Sequence, residues 1–144
     1  MVRPLPDQRH PERRHFNGYD PTSSGGSNLG PTSQKLRDVI AQNLADYRTQ
    51  NGLATNTPVP ADAVTGSASG LDPHISQQNA ALQAESVAKA RGLSIEKVRE
   101  LIRQNTDPAD LGILGDPGVN VLRLNLALDA ITTGDHRTAM AGLR

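Results

Sequence analysis

The side chains best equipped for chemistry lie in one short stretch. From Thr65 to Ser76 the sequence reads Thr-Gly-Ser-Ala-Ser-Gly-Leu-Asp-Pro-His-Ile-Ser. Ser67, Ser69 and Ser76 are hydroxyl nucleophiles in kind, His74 is a base, and Asp72 is a carboxylate that can orient a base. Those are the members of a hydrolytic triad. A triad, however, is assembled by the fold, and closeness along the chain is not its signature. No Gly-x-Ser-x-Gly elbow occurs, so no serine is held on the strained turn that such a nucleophile needs. Asp72-Pro73 more simply sets a turn, and Ser76 more simply caps a helix.

A second small-residue stretch lies upstream, Ser23-Ser24-Gly25-Gly26-Ser27-Asn28-Leu29-Gly30-Pro31. Main-chain amides of a glycine loop can cradle phosphate. That makes Ser24, Gly25 and Gly26 weak candidates for ATP. The Gly-x-x-x-x-Gly-Lys-Ser/Thr pattern is absent, so no lysine is placed on the phosphates. Metal binding has little to build on. His10, His15, His74 and His136 are scattered, with no recurring ligand spacing. With no cysteine in the chain, disulfides, thiolate metal sites and a thiol nucleophile are excluded.

The two loops are read as a recognition surface, the alternative being that their glycines only shape turns inside the domain. A glycine-serine surface admits another backbone closely, and its amides and hydroxyls can bond to partner carbonyls. The contact residues expected are Ser24, Gly25, Gly26, Ser27 and Asn28 in the first loop. Ser67, Ser69, Gly70, Leu71 and Asp72 follow in the second, with Asn120 further on. The roles expected of them are hydrogen bonding and close packing.

The elements that position these loops can be read from pattern. At 144 residues the chain holds one domain. Net charge is zero, which gives no footprint for nucleic acid. Aromatics are 2%, so the core must be aliphatic. No apolar run approaches the ~18 residues of a membrane helix. Residues 1–17, with three prolines among four arginines, read as a disordered or extended lead. Three helices are expected, over 33–51, 76–91 and 94–105. Leu36, Val39, Ile40, Leu44 and Tyr47 share a face of the first. The second has a small face of Ala80, Ala84, Val87, Ala88 and Ala90. Ile95, Val98, Leu101 and Ile102 line the third. Thr32 or Ser33, Ser76 and Ser94 stand at cap positions, and Gly52 and Gly92 at the ends. Strands are expected near 61–65 and 119–128. From Leu122 to Asp129 apolar and polar or small residues alternate, which is strand period, although leucine and alanine favour helix. After Thr132 a frayed tail is expected. The reading is a single α+β domain over 18–131 with a small sheet.

Three stretches in this order resemble the C-subunit family of the bacterial Kdp potassium-transporting P-type ATPase. They are Ser24 to Pro31, Val64 to Ser76, and Val119-Asn120-Val121-Leu122-Arg123-Leu124-Asn125-Leu126-Ala127-Leu128-Asp129. Between the last two, Val87-Ala88-Lys89-Ala90-Arg91-Gly92-Leu93 matches as well. The resemblance implies a non-catalytic accessory subunit that stabilises a pore-forming A subunit and an ATP-hydrolysing B subunit. ATP and potassium would be handled by those partners. It also implies a plasma-membrane complex, with this domain on the extracytoplasmic face. The alternative it carries is a nucleotide-binding chaperone that raises the ATP affinity of the B subunit; Ser24-Gly25-Gly26 would serve it, but Ser27 stands where a glutamine would sit. Two departures stand out. Family members open with a transmembrane helix and a further extracytoplasmic segment, which residues 1–17 do not resemble, so a truncated and even inactive copy is a third expectation. Glu85-Ser86 stands where the family usually has Pro-Arg, placing an anion on an exposed helix position.

Overall fold

The computed structural model describes residue 16 and residues 33–65, 73–109 and 115–141. Four helices and a three-stranded sheet make up the described part. They are α1 (Gln34–Gln50), β1 (His74–Ser76), α2 (Gln77–Arg91), α3 (Ile95–Gln104), β2 (Thr106–Asp107), β3 (Gly118–Asn120) and α4 (Val121–Ala141), with a 3-10 turn at Ala61–Ala63 between α1 and β1. This is the expected α+β domain, and the three expected helices lie within a residue or two of their expected limits.

Local chemistry sets the helix ends. The Ser76 hydroxyl accepts the Asn79 N–H at 3.1 Å and the Ser94 hydroxyl accepts that of Lys97 at 3.2 Å. Both are N-caps that satisfy an orphan donor. Ser33 precedes α1 without a side-chain cap bond. Gly52 and Gly92 take φ of 63° and 65°. Beyond them Leu53 and Leu93 donate back to Arg48 and Ala88 at 2.8 and 2.9 Å. Both ends are Schellman closures, which need the left-handed residue that glycine supplies. Among the described residues no helix is long and apolar enough to cross a membrane.

The sheet order is β1-β3-β2, all antiparallel. Ile75, Val119 and Thr106 stand in register on one face, and Ile75 and Val119 are buried in the main core. That core joins them to Ala80, Ala84, Val87, Val98, Leu101, Leu124 and Leu128. Small alanines on α2 let α3 approach closely. Phe16, in the stretch read as a lead, is 2% exposed and belongs to this core. The Asn125 side chain accepts the Phe16 N–H at 2.8 Å and donates to its carbonyl at 2.9 Å. A smaller cluster of Tyr47, Ala63 and Val64, with Ile40, Leu44 and Leu82 packed on it, ties α1 to the rest.

Two expected strands are corrected. Ala61–Ala63 form a 3-10 turn instead, with Val64 and Thr65 beyond it both donating to the Ala61 carbonyl. Alanine has little strand preference to resist that turn. The strand expected over 119–128 is only Gly118–Asn120, after which α4 begins and continues to Ala141, helical past Thr132. Leu124 and Leu128 are fully buried, whereas Leu122 and Leu126 are 63% and 60% exposed. That is i, i+4 spacing on two opposite faces of a helix. Leucine and alanine carry strong helix preference, and the Asn120 side-chain oxygen caps the start by accepting the Arg123 N–H at 3.0 Å.

Candidate functional site

The structure fixes the two stems that flank residues 66–72, the segment itself lying outside the described residues. Asp62, in the 3-10 turn on the entry side, reaches Ser76 on the exit side. Its carboxylate accepts the Ser76 N–H at 2.9 Å, the Ser76 hydroxyl at 2.8 Å and the Asn79 side-chain amide at 3.0 Å. Charge-assisted bonds of this kind are stronger than neutral ones.

Behind Asp62 the bonding runs inward. Asn79 is 2% exposed and Gln83 1%, so their amides must find partners inside. The Asn79 oxygen accepts the Tyr47 hydroxyl and the Gln83 amide, each at 2.8 Å. Asn43 on α1 donates to the Val64 carbonyl at 3.0 Å. Helix α1 is thus coupled to the entry stem through buried polar groups, a connection that no apolar periodicity announces.

On the exit side the main chain is held by α4. The Pro73 carbonyl accepts the N–H of Val121, the first residue of α4, at 2.9 Å. His74 pairs in register with Asn120 on β3. Its Nε2 lies 2.8 Å from Asp107 Oδ2 on β2, across the middle strand. Gly118, which has no side chain, pairs with both Ser76 and Asp107 and leaves that face open for the crossing. The other Asp107 oxygen accepts from the Arg123 guanidinium. Those two hydrogen bonds, His74 first and Arg123 second, hold the Asp107 carboxyl below its ordinary range.

The expected contact residues fall out as follows. Ser24, Gly25, Gly26, Ser27 and Asn28 lie outside the described residues, as do Ser67, Ser69, Gly70, Leu71 and Asp72. Asn120 is described, half-buried, and engaged as the α4 cap. Ser67, Ser69 and Asp72 lie outside the described residues, and within them His74 bonds Asp107, which sequence reasoning did not connect to it. Ser76 has the cap role expected of it and also closes the loop stems. Glu85 is exposed, and the half-buried Ser86 donates to the Asn51 side-chain oxygen at 2.9 Å. Among the described residues no three His, Asp or Glu side chains gather to hold a metal ion.

At the far side of the domain Arg91 closes α2 onto α4. Its side chain is 1% exposed, and the guanidinium donates to Asp129 at 2.8 Å and to the Thr132 hydroxyl at 3.1 Å. This ties the C-terminal end of α2 to α4.

Comparison with known proteins fits the order of these stretches. The family described as KdpC, the K+-transporting ATPase c chain, matches residues 7–130. The potassium-transporting ATPase KdpC subunit of Mycobacterium tuberculosis is 57% identical over 114 residues, which is 79% of this chain and 60% of that protein. The KdpC subunit of Nitratidesulfovibrio vulgaris is 51% identical over 117 residues, 81% of this chain and 59% of its own length. That of Koribacter versatilis is 48% identical over 113 residues, covering 78% and 57%. The chain therefore spans less than two thirds of the length of these curated relatives. On the family match, which runs through both clamped stems and into the first half of α4, the chain belongs to the KdpC family of K+-transporting ATPase c chains.

Proposed function

We propose that this domain is a non-catalytic accessory module of an ATP-driven potassium uptake complex. Its task is to stabilise the assembly of a pore-forming and an ATP-hydrolysing subunit. The segment 66–72 is the principal contact, with Ser67, Ser69, Gly70, Leu71 and Asp72 offering amides and hydroxyls; Ser24 to Asn28 are a second contact. ATP and potassium are handled by the partners. The domain works on the extracytoplasmic face of the plasma membrane, held there through the complex or through a membrane helix N-terminal to it.

The observation that carries this reading is the two-sided clamp. Asp62 joins the stems, and the Pro73–Val121 bond fixes the exit to the start of α4. Fixed stems reduce the ordering cost that a binding loop otherwise incurs. The clamp side chains are spent on one another, which suits them to hold a contact surface in place. Co-purification of the two partner subunits with the chain, with and without nucleotide, tests this. Capture that is independent of nucleotide supports assembly. Saturable binding of a fluorescent nucleotide to the isolated chain, lost on Gly25→Val and Gly26→Val, would replace it with the chaperone reading.

A further inference from the structure

We infer that His74 is a pH-sensing positioning residue, whose protonation tightens the clasp that holds the exit of segment 66–72. The clasp itself rests on geometry in the described residues; only the use made of the segment rests on the assembly reading. Asp107 sits between two bases from different elements, His74 on β1 and Arg123 on α4. The side chains of His74 and Asp107 are 11% and 18% exposed, so water screens their interaction only in part.

Imidazole is the side chain whose charge ordinarily changes between pH 5 and 8. Asp107 stays ionised through that interval, since both its partners favour the carboxylate. A neutral imidazole can offer Asp107 one ordinary hydrogen bond. An imidazolium offers the same bond with a full opposite charge. Arg123 shares the carboxylate and keeps its own charge, so it reduces the gain without cancelling it. Among the described residues Asp62 also carries charge near this face, bonding Ser76 two residues beyond His74. Strand β3 contributes Gly118 and Asn120 there, neither of them charged. Asp72, close in sequence, lies outside the described residues.

The consequence passes along the main chain. His74 follows Pro73 directly, and the Pro73 carbonyl takes the Val121 N–H. Holding His74 on Asp107 therefore holds the loop exit on the start of α4. The Val121 amide reports on that bond with no partner subunit present.

The test is amide exchange at Val121 in the full chain, followed by NMR and corrected for intrinsic exchange. The expected result is about two- to fivefold greater protection near pH 5.5 than near pH 7.5, the range a partly exposed ion pair supports. His74→Gln keeps a donor but cannot titrate, and is expected to abolish the difference. Asp107→Asn, which removes the opposing charge, is expected to do the same and decides the matter if His74→Gln does not fold. Equal protection at the two pH values, or a difference that persists in these variants, overturns the inference. Capture of the partner subunits by the same samples is scored separately. Its failure at both pH values would refute the assembly reading and leave the Val121 result to decide the clasp.

Discussion

Asp62 and Ser76, fourteen residues apart, are joined by two hydrogen bonds at 2.9 and 2.8 Å, so one carboxylate closes the loop between them. The same carboxylate satisfies the amide of Asn79, which is 2% exposed. Asp62→Ala leaves that donor and the Ser76 N–H without their acceptor. The expected cost is about 2–3 kcal/mol, the range for losing bonds to a charged group. A fall in the urea midpoint at unchanged slope measures it.

The register of α4 gives a sharp contrast between two leucines two residues apart. Leu124→Ala removes a fully buried side chain and is expected to cost about 2–5 kcal/mol. Leu126→Ala removes one that is 60% exposed and is expected to fall within about 0.5 kcal/mol of the parent. Equal costs would return this segment to a strand, in which both leucines share a face. Thermal unfolding of the two variants separates the cases.

That contrast also shows what the sequence could and could not reveal. The alternation from Leu122 to Asp129 is compatible with period two, but spacing by four divides the same leucines between core and solvent. The cap at Asn120 decides between them, and a cap is recognised only when its helix is known. Helices α1 to α3 were legible because Ser76 and Ser94 start two of them and Gly52 and Gly92 end α1 and α2. Strand β2 was not, since two residues, Thr106 and Asp107, carry no period at all. The Asp62–Ser76 clamp and the His74–Asp107 contact join residues 14 and 33 positions apart, and no local rule connects them.

Arg91 separates packing from charge. Its side chain is 1% exposed against Asp129 at 46%, so the cation is the buried member of the pair. Arg91→Ala loses both the stem and the bonds, with an expected cost of about 2–4 kcal/mol. Arg91→Met keeps the stem and is expected to recover half or more of that loss, because Asp129 can turn to water. Chemical denaturation of both variants provides the comparison.

Acid stability should depend on Asp107. Its folded pKa lies below the ordinary 3.8, so the unfolded chain takes up a proton there first as pH falls. The stabilisation is fully present above pH 3.8 and is lost as pH drops through the lowered folded value. The parent Tm is therefore expected to fall more steeply below pH 3.8 than that of Asp107→Asn, which has no such proton to bind. Parallel Tm curves would show that the carboxylate contributes nothing to acid behaviour.

The central claim is that segment 66–72 is a contact surface held by its stems. Capture of the pore-forming and ATP-hydrolysing subunits from solubilised membranes by the tagged chain, compared between the parent and Gly70→Val, tests it most directly. The account predicts capture by the parent and about a tenfold loss with Gly70→Val, equivalent to about 1.4 kcal/mol of binding, at an unchanged Tm. Equal capture by the two chains at equal stability would contradict it.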